Sequence, residues 1–200
     1  MSDFIVRDGT GKGNRAKVDD NNRLRMSGVT QSEIYDASNN GLAFAFPANE
    51  LSIPATEASV FWLQNTDATR NFHIQRVYAF WNGGSTSHNR TMVARFYATS
   101  SAVAPSANNV AMSPINLNTT SNNVPVTTAW KWNGTGTGMT VASNGVLAFT
   151  GYTGQGHTPI EFEGAFVIGY NKAINITLQG EEAGLAGIVM SGWYENLGSE

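Results

Sequence analysis

Residues 72–81 read FHIQRVYAFW, residues 82–90 read NGGSTSHNR, and residues 91–98 read TMVARFYA. In the first segment the even-numbered residues are mainly apolar, and from Val77 onward the odd-numbered residues are apolar as well. Side chains alternate between the two faces of a strand, so this pattern predicts a strand that becomes covered on both sides. The Asn-Gly-Gly-Ser cluster is typical of a turn. We therefore predict a β-hairpin with a long polar loop at the centre of a sheet.

Further short apolar segments follow the same period of two residues. Ile160 and Phe162 alternate with glutamates, and Ile174, Ile176 and Leu178 alternate with polar residues. The predicted strands cover residues 60–65, 124–132, 146–152, 160–168, 173–178 and 185–195, and the hairpin adds two more. About eight short strands separated by Gly, Asn and Pro predict an all-β fold, a jelly-roll-like antiparallel β-sandwich.

The first part of the chain differs from the rest. Residues 1–41 contain turn-forming and charged groups with only short apolar pieces, so they bury too little apolar surface to order alone. We predict an extended N-terminal arm over residues 1–41 and a β-sandwich domain over residues 42–200. A short helical turn is predicted near Gln31–Asp36.

The charge of the chain is low and unevenly distributed. Charged residues make up 14% of the sequence, against roughly 25% in typical soluble domains. This suits a chain that buries much of its surface in an assembly, although a monomer with an uncharged polar coat explains it equally well. Half of the 12 basic residues lie in the first 25 residues of the arm, which contain four aspartates and no glutamate. They are Arg7, Lys12, Arg15, Lys17, Arg23 and Arg25.

This mildly basic arm precedes an acidic body, and the net charge of the chain is −3. This distribution of charge does not indicate nucleic-acid binding, but it is compatible with docking of the arm on an acidic partner surface. A solvated tail is the alternative. The sequence has no cysteine, no signal-peptide pattern and no apolar run long enough to cross a bilayer. We predict a protein made in the cytoplasm, with no membrane partner.

No motif predicts a catalytic, cofactor or metal site. The glycine-rich segments 8–13 and 134–138 lack the Gly-Lys-Ser/Thr ending of phosphate loops. His73, His88 and His157 show no zinc-site spacing. The glutamates that could form an acid–base pair are Glu161, Glu163, Glu181 and Glu182, and their spacing predicts no such pair. We therefore predict a protein that is not an enzyme.

Several aromatic residues lie within strand patterns. This position favours core packing or a subunit interface over sugar stacking. The candidates for an oligomer interface are Trp81, Trp130, Trp132 and Trp193.

Two parts of the chain resemble a set of tailed-bacteriophage virion proteins. Residues 7–24 resemble their N-terminal arm, in which Asp-Gly-x-Gly and Ala-x-Val-Asp-x-x-Asn-Arg-Leu precede a β-domain. The body resembles the same set at residues 74–77, 81–90 and 178–184. The resemblance implies a structural component of a phage particle, and it carries no catalytic residues.

The resemblance leaves the location in the particle open: capsid cement or decoration protein, head fibre or tail part. Low charge and a basic arm favour a capsid cement protein that binds the major capsid protein and forms a homotrimer. The alternative is a tail or head-fibre module that binds host surface glycan through Trp130 or Trp132. A glycan-degrading enzyme is a third class, and it requires two of the glutamates to converge in a groove.

Overall fold

The computed structural model describes residues 17–18, 24–25, 33–83, 91–99, 103–153 and 156–196. The chain divides into two compact units, Met1–Ser32 and Glu33–Glu200. In the first unit, strands β1 (Lys17–Val18) and β2 (Leu24–Arg25) pair in antiparallel fashion. The rest of the fold belongs to the second unit.

The second unit contains one short helix and eleven strands among its described residues. The helix is α1 (Glu33–Asn39). The strands are β3 (Ala43–Ile53), β4 (Ala58–Asn65), β5 (Arg70–Gly83), β6 (Met92–Thr99), β7 (Asn109–Ala111), β8 (Ile115–Asn116), β9 (Thr127–Trp132), β10 (Val146–Thr153), β11 (Gly156–Ile168), β12 (Ala173–Gly180) and β13 (Gly184–Asn196). None of the described helices is long and apolar enough to cross a membrane.

These strands form two antiparallel sheets. The five-stranded sheet has the order β11-β5-β13-β3-β8, and the six-stranded sheet has the order β10-β6-β12-β4-β9-β7. The eight long strands β3–β6 and β10–β13 supply four neighbouring strands to each sheet. Numbered one to eight along the chain, they have the orders 6-3-8-1 and 5-4-7-2, which is the arrangement of a jelly roll. The predicted fold class is confirmed.

The predicted hairpin of residues 72–98 is wrong. β5 pairs with β11 and β13 in one sheet, whereas β6 pairs with β10 and β12 in the other. Each strand has one fully buried face, represented by Ile74 and Val77 on β5 and by Met92 and Phe96 on β6. Since both apolar faces need the same core, the two strands lie across it from each other instead of side by side.

The core fills the space between the sheets with large apolar side chains. The largest of those that are fully buried are Trp62, Trp81, Phe44, Phe46, Phe61, Phe72, Phe96, Ile53, Leu63, Ile74, Met92 and Ile168. Burial of such side chains is the main favourable term in folding.

The helix α1 covers one end of the five-stranded sheet. Ala37 of α1 packs against Ala43 and Trp193, and all three are buried. The predicted domain boundary after residue 41 therefore falls beyond α1, whereas the compact unit already begins at Glu33. The sequence pattern alone did not predict that Ala37 of α1 packs on the five-stranded sheet.

Candidate functional site

Of the four edges of the five- and six-stranded sheets, three carry features that block pairing with another strand. β7 has three residues and β8 has two, and very short edge strands are poor templates for pairing. β11 carries Pro159, which has no N–H to donate, and exposes Glu161 and Glu163. Its register with β5 is also broken between Glu161 and Phe166. Natural proteins use these devices to keep sheet edges from associating.

The fourth edge, β10, lacks charge and proline. Its sequence is VLAFTGYT. Val146 is 75% exposed, Leu147 50%, Phe149 40% and Tyr152 70%. A single bulge interrupts its pairing with β6 between Leu147 and Phe149. A long uncharged apolar edge of this kind is expected to associate unless another surface covers it.

Side chains of β10 point to both faces of the six-stranded sheet. Leu147 is paired with Tyr97, and Tyr152 with Val93, so these four share the outer face. Phe149 is paired with Phe96 on the inner face. The edge therefore offers apolar atoms both above and below the plane of the sheet.

Phe149 belongs to an aromatic cluster that fills the open side of the sandwich. Its ring centroid lies 5.6 Å from that of Phe96 and 5.6 Å from that of Phe162, both with edge-on geometry. Phe162 in turn lies 5.6 Å from Phe166. Edge-on pairs at this separation are favourable, so Phe149 is held in place although it is partly exposed.

A bulge in β11 places this cluster. Over residues 162–165 the strand leaves its register with β5, and both Glu163 (φ 49°) and Gly164 (φ 85°) adopt left-handed backbone. The carbonyl oxygen of Gly164 lies 3.2 Å from Nδ1 of His73, whose ring stacks on Trp193. The bulge directs Phe162 toward Phe96 and Phe149.

A cavity of about 340 Å³ adjoins this edge. Its lining is mainly apolar and includes Val146 of β10 together with Phe166 and Val167 of β11, and Lys172 supplies the charge. Because Val146 belongs to both features, the cavity and β10 form one continuous apolar surface. We call this surface the β10 edge.

A polar network stiffens the sheet beside the β10 edge. The carboxylate of Glu57 accepts hydrogen bonds from Thr177 (2.6 Å), Tyr97 (2.8 Å) and Arg95 (3.2 Å). Arg95 also donates to Gln179 at 3.0 Å. Burial, followed by the hydrogen bond and negative charge of Glu57, raises the pKa of Tyr97. The network connects β6, the neighbour of β10, to β12 through Glu57 and Gln179.

The structure argues against three of the four tryptophans predicted for an oligomer interface. Trp81 is 1% exposed, Trp132 2% and Trp193 3%, so they offer almost no surface to another chain. Nε1 of Trp132 donates to the carbonyl of Thr135 at 2.7 Å, which fixes its indole inward. Trp130 is half-buried and packs against the core. These strands are covered by core or loop on the faces that carry the indoles.

The remaining predicted residues are dispersed. The six basic arm residues, His88 and His157 lie outside the part of the chain whose side chains the structure describes. His73 contacts Glu195 (2.8 Å), and Glu161 contacts Arg76 (2.6 Å). Glu181 accepts from Thr91, and Glu163 is exposed on the β11 bulge. Within the described ranges, no three His, Asp or Glu side chains cluster as a metal site would require.

The sequence carried one signal for the β10 edge. Residues 133–160 contain no Asp, Glu, Lys or Arg. This segment includes a whole strand, and charge depletion is a feature of interface centres. The strand order of the sheet is needed to interpret this lack of charge, because an uncharged central strand would only indicate burial.

No protein-family model, curated protein or solved structure matches this chain. The fold and the β10 edge are therefore the basis for the function.

Proposed function

We propose that this protein is a non-enzymatic structural component of a phage particle, a capsid cement protein that stabilises the head shell by association. The β10 edge is the observation that carries the proposal. It combines four exposed apolar side chains with a strand that has no charge and no proline. Such a surface suits a protein that works by burying area against neighbours.

The rest of the molecule is compatible with this role. The compact jelly roll is held by a large core, and the polar network of Glu57 keeps the outer face of the six-stranded sheet rigid. A rigid body presents its surface at little entropic cost, which favours tight association. The basic arm supplies charge that strand β10 lacks, and it would dock on acidic shell surface.

The proposal is tested on particles of the phage that encodes the protein. We expect purified particles to contain it in many copies, detected by mass spectrometry. Particles assembled without it should release their genome at a lower temperature, and adding the purified protein should restore the original temperature. Its absence from particles, or an unchanged release temperature after it is added, would contradict the proposal.

Two further measurements test where the protein lies in the particle and what the arm does. Gold-labelled antibody on the head supports a cement protein, whereas label on the tail would favour the tail module. Deletion of residues 2–30 leaves the compact unit Glu33–Glu200 intact, so the truncated protein should keep its melting temperature. We expect it to lose binding to shells. Equal binding by the truncated and intact proteins would remove the arm from the proposal.

A further inference from the structure

We infer that the β10 edge contacts the β10 edge of a second copy of this chain, related by a twofold axis. This inference rests on the proposed function, because it names the partner of the same surface. It differs from the predicted homotrimer, in which β10 would meet a different surface of the neighbouring copy.

The absence of charge on the strand favours a copy of itself as partner. Residues close to a twofold axis lie near their own counterparts, so a charged residue there would meet an identical charge. β10 has no charged residue, and the uncharged sequence extends over residues 133–160. A contact with an acidic or basic partner would instead call for complementary charges on this strand.

The backbone of β10 also fits a symmetric partner. Residues Phe149–Thr153 pair with β6 in unbroken register, and at an antiparallel edge alternate N–H and C=O groups point away from the sheet. A second β10 running antiparallel would satisfy these groups along the same five residues. Gly151 lies at the centre of this segment, so the twofold axis would pass beside it.

The surrounding apolar surface adds to the contact. Leu147 and Tyr152 lie on the outer face of the sheet, and Val146 lies at the rim of the cavity. In the twofold arrangement Tyr152 of each copy lies near the axis, and Leu147 and Val146 lie at the two ends of the paired strands. Their burial removes apolar surface from water.

The test begins with the mass of the intact protein in solution, measured by sedimentation equilibrium over a range of concentrations. We expect a dimer. Tyr152 lies next to Gly151 at the axis, so Tyr152→Lys would place two like charges close together, and we expect its dimer dissociation constant to rise about 100-fold or more. Leu147→Lys is a second variant, which would place a lysine against apolar surface at each end of the contact, and we expect its dissociation constant to rise as well. Circular dichroism and the melting temperature establish that each variant remains folded.

Leu117→Lys is the matched control. Leu117 is 41% exposed, close to the 50% of Leu147, and it follows β8 at an edge of the other sheet. This control should leave the dissociation constant unchanged. Equal dissociation by both leucine variants would overturn the inference, and so would a monomer at all concentrations or a trimer.

Because the chain has no cysteine, cross-linking gives an independent readout. Single cysteines at Thr150 and Tyr152, the neighbours of Gly151 at the axis, should yield disulfide dimers on oxidation at one or both positions, and a cysteine at Leu117 should yield none. Dimers without particle binding would contradict the proposed function alone. Particle binding by a folded Leu147→Lys monomer at wild-type strength would contradict the inference that the β10 contact serves that function.

Discussion

Gly164 and Trp193 pack so closely that a Cβ atom at Gly164 would lie 2.5 Å from Cη2 of the indole. Gly164 also has φ 85°, which favours glycine. We expect Gly164→Ala to lower the free energy of unfolding by about 2–5 kcal/mol, since backbone strain and overpacking add. Urea denaturation measures the change.

Gly134 provides the control for this prediction. Its φ is 83°, but a Cβ there would meet nothing within 4 Å. Gly134→Ala should therefore cost only about 1–2 kcal/mol, the backbone term alone. Equal losses in the two variants would mean that the contact with Trp193 contributes nothing.

The turn between β4 and β5 predicts a dependence of stability on acid. Burial alone would raise the pKa of the Asp67 carboxyl, but hydrogen bonds from Thr69 and the ion pair with Arg70 (2.6 Å) hold that pKa below its usual value. A lowered pKa contributes stability that is present above the unfolded pKa of about 4 and is lost as pH falls through the folded value.

The test compares wild type with Asp67→Asn in urea unfolding between pH 7 and pH 2. At pH 7 the variant should be less stable by about 1–3 kcal/mol, and the gap should narrow in acid. A gap that stays constant down to pH 2 would show that the carboxylate does not supply this stability.

The hydrogen bond between the buried side chains of Ser59 and Asn175 should contribute more to the free energy of unfolding than an exposed hydrogen bond of the same chemistry. Oγ of Ser59 donates to Oδ1 of Asn175 at 2.6 Å, and Asn175 is fully buried. Asn175→Ala should cost about 1–3 kcal/mol because it leaves the Ser59 hydroxyl without this acceptor. A double-mutant cycle with Ser59→Ala should give a coupling of about 1 kcal/mol.

The exposed counterpart is Thr120, whose hydroxyl donates to Oδ1 of Asn118 at 2.7 Å. We expect Thr120→Ala to change the free energy of unfolding by no more than about 0.5 kcal/mol. If Thr120→Ala were as costly as Ser59→Ala, burial would not explain the effect.

The carboxylate of Glu57 should control the ionisation of Tyr97. Burial and this carboxylate raise the pKa of the Tyr97 phenol. Glu57→Gln removes the negative charge and keeps the shape, so Tyr97 should ionise at lower pH in the variant. The difference between ultraviolet titrations with and without Tyr97→Phe isolates this residue. An unchanged Tyr97 titration would contradict the role of Glu57.

Local alternation made the long strands predictable. Ile174, Ile176 and Leu178 are all fully buried, as their period of two indicated. The neighbour of each strand was not predictable in this way. Phe72–Ala98 contains two good strand patterns separated by a turn signal, and nothing local distinguishes a hairpin from two strands in opposite sheets.

The candidate site was also only partly predictable, because the sequence does not show which strands are neighbours. The strand at residues 146–152 was predicted, but its position at an edge follows from the pairing of β10 with β6 alone among the described strands. The prediction of tryptophans at an oligomer interface has a related limit, because strand patterns do not show which faces other elements cover. Parity places Trp193 on the outer face of its sheet, whereas α1 covers that face and buries the indole.

The place of β13 has a consequence for synthesis of the protein on the ribosome. β13 lies between β5 and β3 in the five-stranded sheet, yet it is translated after all the other described strands. Until residues 184–196 have left the exit tunnel, β3 and β5 have no strand between them. The domain therefore acquires its native sheet only after β13 has emerged from the ribosome, and holdase chaperones are expected to protect the nascent chain until then.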